Sequence, residues 1–376
     1  MGRSKSLQRD KWFKKINIVE AQTNYGKMYY IVDESYDFIP LVKEYLDMMQ
    51  INDDQKVSPD TLYHYCNLLR YYWLRQCIWC KKGSNMVEIN LDKVSFHLKQ
   101  VQDFSWLKRI GNVFCVFDQQ DSGNISFGVE NGDSRYFVKY AGAQTTEYNG
   151  CTQDAINILN NAIHVYEDLR HANVVNFIKK IDTHDGVAAV FDWFDGECMW
   201  AHWTFDEWDR YRHPASPYYK YKRLNMETRL KSINTIFQFL LFVEQQNYVA
   251  VDFYDGSIMY DFNTDTTKIC DIDFFRKKPT VNDLGGFFWG PRRFKSPEEY
   301  ILGAPIDSVT NVHAMGILLF GLIGGEYDRS YKTWEGTKEM YQITRKATFG
   351  ERELRFQSIK EMYEEWDKAV GEACIL

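Results

Sequence analysis

Proline is scarce in this chain, 8 in 376 residues, and no apolar run approaches the length of a bilayer crossing. The longest apolar stretches, FQFLLFV and MGILLFGLIGG, fall well short of the roughly 20 residues a spanning helix needs. No signal-peptide pattern opens the sequence. The final ACIL is not a prenylation box, because Cys374 stands third from the end. These absences lead us to expect a cytoplasmic protein with no membrane partner. The eight cysteines are scattered among aromatic and aliphatic neighbours, as reduced core thiols are. Cys77 and Cys80 form a CIWC motif, but no second pair or histidine cluster completes a zinc site. Excess positive charge is lacking too: the net charge of −7 excludes the chain as a whole from binding polyanions.

Aromatic residues are plentiful, with 25 Tyr, 25 Phe and 11 Trp. A hydrophobic content of 45% against 26% charged residues specifies a folded chain rather than a disordered one, long enough for two or three domains. Charge is unevenly placed. Residues 1–85 hold 13 Lys and Arg against 10 Asp and Glu, and Arg3, Lys5, Arg9, Lys11, Lys14 and Lys15 fall within the first fifteen. That basic start reads either as a solvated terminus or as an arm making weak, salt-sensitive DNA contact.

Two amphipathic helices are expected between Asp37 and Leu74. DFIPLVKEYLDMMQI sets Ile39, Val42, Leu46 and Met49 on one face, and SPDTLYHYCNLLRYYWL opens with Ser58 as N-cap and Pro59 at the first helical position. KKGSN at 81–85 breaks the pattern as a linker does. MYYIVDESYDFIPLVKEYLDMM and VSPDTLYHYCNLLRYYW resemble the helical core-binding domain of tyrosine recombinases, the phage integrases. The recombination chemistry of that family needs a His-x-x-Arg pair, and none of the eight histidines has Arg three residues on. Recombination is thereby excluded. The resemblance implies at most a DNA- or protein-contacting module over residues 1–85, and a new, start-like rhythm begins at Met86.

Residues 113–142, VFCVFDQQDSGNISFGVENGDSRYFVKYAG, alternate apolar and polar around two turns, and an apolar run ends on Lys139. A hairpin carrying Gly123 and Gly128 lets backbone amides approach phosphates, and a strand-borne lysine reaches their charge. Equally, any hairpin has glycines and a strand-end lysine usually faces water. A helix, TQDAINILNNAIHVYEDL, follows, then two strands and a polar joint from Asp192 to Gly196.

This order, with what lies downstream, resembles the protein-kinase-like superfamily over residues 101–376. Asp252 in AVDFYDGSIMYD falls where kinases hold the catalytic-loop aspartate. Ser257 stands where the family has a metal-binding Asn, and Asp271 in ICDIDFF where it has the aspartate of Asp-Phe-Gly; Asp273 competes for that metal role. Ser296, Pro297 and Glu298 resemble the Ala-Pro-Glu end of an activation segment, TNVHAMGILLFGLIGG the buried helix that follows, and Arg355 the arginine that pairs with Glu298. The bland alternative is that DFYDG and DFNTD are turns of an ordinary β-hairpin.

The resemblance implies an α+β chain with a bilobal protein-kinase-like fold: an N-lobe over 86–190, a hinge at 191–197 and a C-lobe over 198–376, preceded by a small helical module over 1–85. It implies ATP and Mg2+ as cofactors. By the same resemblance Asp252 and Lys139 are expected to be catalytic, Gly123, Gly128, Val129, Lys139, Asp192 and Phe194 to bind nucleotide, and Asp271 and Ser257 to bind metal. The chain departs from the pattern in having no clear helix glutamate for Lys139 among Glu147, Asp154 and Glu167, Val251 before Asp252, and Tyr254 two residues after it. Gly256 and the short hairpin stand closer to aminoglycoside phosphotransferases and choline kinases. The expected function is an ATP-dependent phosphotransferase, most simply a serine/threonine kinase, acting on a protein or small-molecule acceptor. The alternatives are a small-molecule kinase and a nucleotide-binding pseudokinase.

Overall fold

The computed structural model describes residues 17–23, 26–32, 86–118, 120, 122–148, 150–202 and 209–373. The chain divides into two compact units, Met1–Met86 and Val87–Leu376. In the first, strands β1 (Asn17–Thr23) and β2 (Gly26–Val32) pair antiparallel, Asn17 opposite Val32 and Thr23 opposite Gly26. A helical module is expected here, yet its described part is a strand pair. The run Tyr29–Val32 is aromatic and β-branched, which suits extended backbone better than helix. The helices expected between 37 and 74, the CIWC cysteines and the basic residues 1–15 lie outside the described residues.

The second unit is α+β. It opens on a hairpin, β3 (Val87–Leu91) and β4 (Val94–Leu98), and continues with β5 (Asn112–Phe117), β6 (Asn124–Asn131), β7 (Ser134–Ala141), helix α1 (Thr152–Asp168), β8 (Phe177–Asp182) and β9 (Val187–Asp192). The last five strands form one antiparallel sheet in the order β5-β6-β7-β9-β8. Strand residues alternate between faces, and each face has its own core. On one, Val113, Ile125, Phe127, Val129 and Val138 pack with Phe96 and Leu98 of β4 and with Phe104. On the other, Ala141, Ala189 and Phe191 meet Ala155, Leu159, Ala162, Ile163 and Tyr166 of α1, residues whose three- and four-residue spacing makes one helix stripe.

Beyond β10 (Glu197–Cys198) the chain is mainly helical: α2 (Pro217–Tyr221), α3 (Met226–Gln245), α4 (Ser308–Ile323), α5 (Lys338–Ala347) and α6 (Ile359–Ala373). Asn225 caps α3 by accepting from the Thr228 amide at 2.8 Å. Helix α4 is buried on every side after Ser308, as a helix apolar over most of its circumference must be; its first turns also bury Thr310, Asn311 and His313, and it forms the centre of this half. Between α3 and α4 run β11 (Tyr248–Val249) and a hairpin of β12 (Ile258–Asp261) and β13 (Thr266–Ile269), β12 also pairing with β10. No described helix is long and apolar enough to cross a membrane.

Candidate functional site

The β12–β13 hairpin is the ordinary feature its turn residues suggest; what matters lies at its two ends. Asp252 precedes it and Asp271 follows it, and both have left-handed backbone, with φ of 60° and 54°. Asp tolerates that region better than most residues, so two sharp turns there project carboxylates from adjacent chain ends. Burial pushes the Tyr254 phenol up, and the charges of Asp271 and Asp252 add to the shift. One phenol thus feels both carboxylates.

Lys139 comes to the same place from β7. Its ammonium donates to Asp271 Oδ1 at 2.9 Å and to Asp273 Oδ2 at 2.8 Å. Burial acts to lower the lysine, but Asp271 and Asp273 outweigh it and hold it well above its ordinary value, hence charged. The two carboxylates are unequal. The Asp271 side chain is 45% exposed and that of Asp273 only 4%. Burial raises Asp273 despite the adjacent ammonium, and its second oxygen accepts from the Tyr166 hydroxyl of α1 at 3.2 Å. Glu147, Asp154 and Glu167 do not take the helix-carboxylate role: among the described contacts the Lys139 ammonium bonds only to Asp271 and Asp273, while Glu167 meets His164 at 3.3 Å.

Gly123 (φ 82°) turns the chain into β6 so tightly that a Cβ there would lie 2.8 Å from Ala155 and Tyr148. Gly128 faces the same side as Lys139, and Cys115 and Phe114 pack where its Cβ would be. Val129, expected among the nucleotide-binding residues, faces away from Lys139. Register sets Ser126 opposite Lys139 and Val129 opposite Tyr136, so the pleat turns Val129 to the other face, fully buried with Val113 and Val138. Phe117, Phe137 and Phe191 instead supply the aromatic surface on Lys139's face, with neighbouring centroids 5.8 and 6.2 Å apart.

At the joint, the Asp192 amide donates to Asn176 O at 3.0 Å and its carboxylate accepts from the Asn176 side chain at 2.6 Å. The Trp193 amide donates to Arg135 O at 3.1 Å. Those groups are engaged by Asn176, just before β8, and by Arg135 of β7, and Phe194 folds its ring over Gly196. Ser257 is fully buried; the Tyr254 amide points at its hydroxyl from 3.5 Å and its carbonyl accepts from Cys270 N at 2.9 Å.

Three participants escaped sequence reasoning: Asp273 as the lysine's buried partner, Tyr166 behind it, and Lys295. Burial lowers Lys295, while the charges of Glu299 and Asp252 oppose that shift; a Cβ on Gly290 would lie 3.4 Å from Asp252 Oδ1 and 4.0 Å from Lys295 Cε. A lysine from the 291–296 segment thus stands beside Asp252, although the position two residues after that aspartate carries Tyr254. Near by, Asp255 and Glu326 are buried with Arg210 and Arg293, Arg210 reaching them at 2.6 and 3.0 Å, and this tethers the Arg293 segment to the loop after Asp252.

Among the described residues no group of three or more His, Cys, Asp or Glu side chains is placed to hold a metal by itself. The donor set, an open Asp271 with Asp252 near the same phenol, fits Mg2+ carried on a nucleotide, because that ion takes one or two carboxylates and completes its shell with phosphates and water. Neither the protein-family models nor the curated proteins compared with this chain match it.

Proposed function

We propose that the chain is an ATP-dependent phosphotransferase of the protein-kinase-like superfamily, moving the γ-phosphate of ATP to a hydroxyl. The observation that carries this reading is the joining of Lys139 to Asp271 and Asp273 across 132 and 134 residues, with one carboxylate open and the other buried. A fixed ammonium beside an open carboxylate suits phosphoryl transfer, where catalysis is mostly positioning and charge stabilisation. Lys139 binds the phosphates, Asp271 is the residue to hold Mg2+, and the ion when bound neutralises charge on the transferring group. Asp252 orients the acceptor hydroxyl and takes up its proton, with Lys295 adding positive charge beside it. The five-stranded sheet with one helix, a polar joint and a helical half in that chain order supports the bilobal reading. The Ser296–Glu298 segment and its Arg355 partner favour a protein Ser/Thr acceptor over a small molecule.

One observation favours a nucleotide-binding pseudokinase instead: Ser257 is buried and turned back on Tyr254, which withdraws the second metal ligand of the family pattern. Labelled ATP with Mg2+ or Mn2+, with and without a generic protein acceptor, separates the two. Asp271→Asn is expected to abolish Mg2+-dependent nucleotide binding. Asp252→Asn is expected to keep binding and lose most transfer, since its contact matters mainly in the transition state. Nucleotide binding without transfer, in the parent and in Ser257→Asn alike, overturns the enzyme reading.

A further inference from the structure

We infer that Asp273 is the positioning carboxylate for Lys139, and that Tyr166 is the contact through which helix α1 sets it. The inference rests on the phosphotransferase reading for its kinetic consequence, but its geometry stands without it. Lys139 has two anionic partners, and burial separates their roles. Asp271, 45% exposed, can leave the ammonium for a ligand; Asp273, 4% exposed, has nowhere else to go. A buried carboxylate needs its oxygens satisfied. Asp273 Oδ2 accepts from Lys139 and Oδ1 from the Tyr166 hydroxyl. The same hydroxyl accepts from the Ile272 amide at 3.3 Å, so one phenol of α1 holds both the backbone and the side chain of the 271–273 segment. Tyr166 is itself fixed by edge contact with Phe191 at 4.7 Å. A helix that supplied a carboxylate would touch the lysine directly. Here the carboxylate comes from the segment that carries Asp271, and the helix acts on it through a neutral hydroxyl. Displacing α1 therefore loosens Asp273 and Lys139 together.

The test uses the full chain with Tyr166→Phe, Asp273→Asn and, as the helix-carboxylate control, Glu167→Gln. Without nucleotide, Tyr166→Phe is expected to speed hydrogen exchange at the Ile272 amide at least tenfold. It is also expected to raise acetylation of Lys139 severalfold at one fixed pH, read by peptide mass spectrometry, with Asp273→Asn raising it further. Glu167→Gln leaves both unchanged. With ATP, Tyr166→Phe lowers kcat about tenfold while KM for ATP moves less than threefold, the pattern of a group that positions in the transition state. Unchanged Ile272 exchange in Tyr166→Phe, or a Glu167→Gln variant that reproduces its effects, overturns the inference. A chain that transfers no phosphate overturns the phosphotransferase reading alone, because exchange and acetylation still decide the Lys139–Asp273–Tyr166 geometry. If Asp273→Asn fails to fold, the exchange and acetylation of Tyr166→Phe decide the inference by themselves.

Discussion

Asn311 holds Ala250 by both edges of its side-chain amide: Oδ1 accepts from the Ala250 N–H at 2.9 Å and Nδ2 donates to its C=O at 2.8 Å. A buried helix thereby grips the backbone two residues before Asp252, just past the end of β11, whose own pairing is with Arg276 and Lys277. An aspartate here could make only the first of these bonds.

That grip predicts the behaviour of two variants. Asn311→Ala leaves a buried N–H and C=O unsatisfied and should lower stability by about 2–4 kcal/mol. Asn311→Asp sets a carboxylate oxygen against the Ala250 carbonyl and should lose at least as much. Urea unfolding checks both, and an Asp variant of parental stability overturns the two-edged contact.

Lys139→Met should destabilise the chain by about 3–5 kcal/mol, because it strands the buried Asp273 carboxylate without its cation. Adding Asp273→Asn to Lys139→Met should recover part of that loss. The double variant would then be more stable than the single one, and thermal unfolding of both decides it.

Arg355 and Glu298 meet at 2.8 and 3.1 Å, the arginine side chain fully buried. Arg352 reaches the same carboxylate at 2.7 Å from a more exposed position. Arg355→Ala should therefore cost about 3 kcal/mol, and Arg352→Ala about 1 kcal/mol, since solvent screens the second pair more. Equal losses would show that the carboxylate does not distinguish them.

Burial pushes Glu299 up to about 7, against the opposing bonds from the Ser296 amide and hydroxyl. In the unfolded chain the same group titrates near its ordinary 4.5. Between those values the folded state holds a proton that the unfolded state has released, so this group's contribution to stability falls as pH rises from 4.5 to 7 and is level above. The full change is up to about 3 kcal/mol. Glu299→Gln keeps an acceptor for Ser296 and removes the titration. Its stability relative to the parent should thus improve from pH 5 to pH 8, measured by urea unfolding at each pH.

Periodicity and turn chemistry determined much of the second unit from sequence alone. The alternation around 113–142, the stripe of α1 and the all-apolar run of α4 are local signals, because each depends on neighbours a few residues away. The Glu298–Arg355 pair and the 252/271 spacing were legible too, though only as a pattern resembled elsewhere. Three-dimensional packing decided the rest. Val129 turned away from Lys139 because side-chain parity depends on strand register, and the unbroken pairing of β6 with β7 sets Ser126, not Val129, opposite that lysine. Asp273 became the lysine's partner because burial, not spacing, separates two carboxylates only two residues apart. Tyr166 joined them because a helix stripe says which residues face the core but not which buried anion waits there. Such contacts link residues more than a hundred positions apart, and no local pattern in the chain encodes which pair will meet.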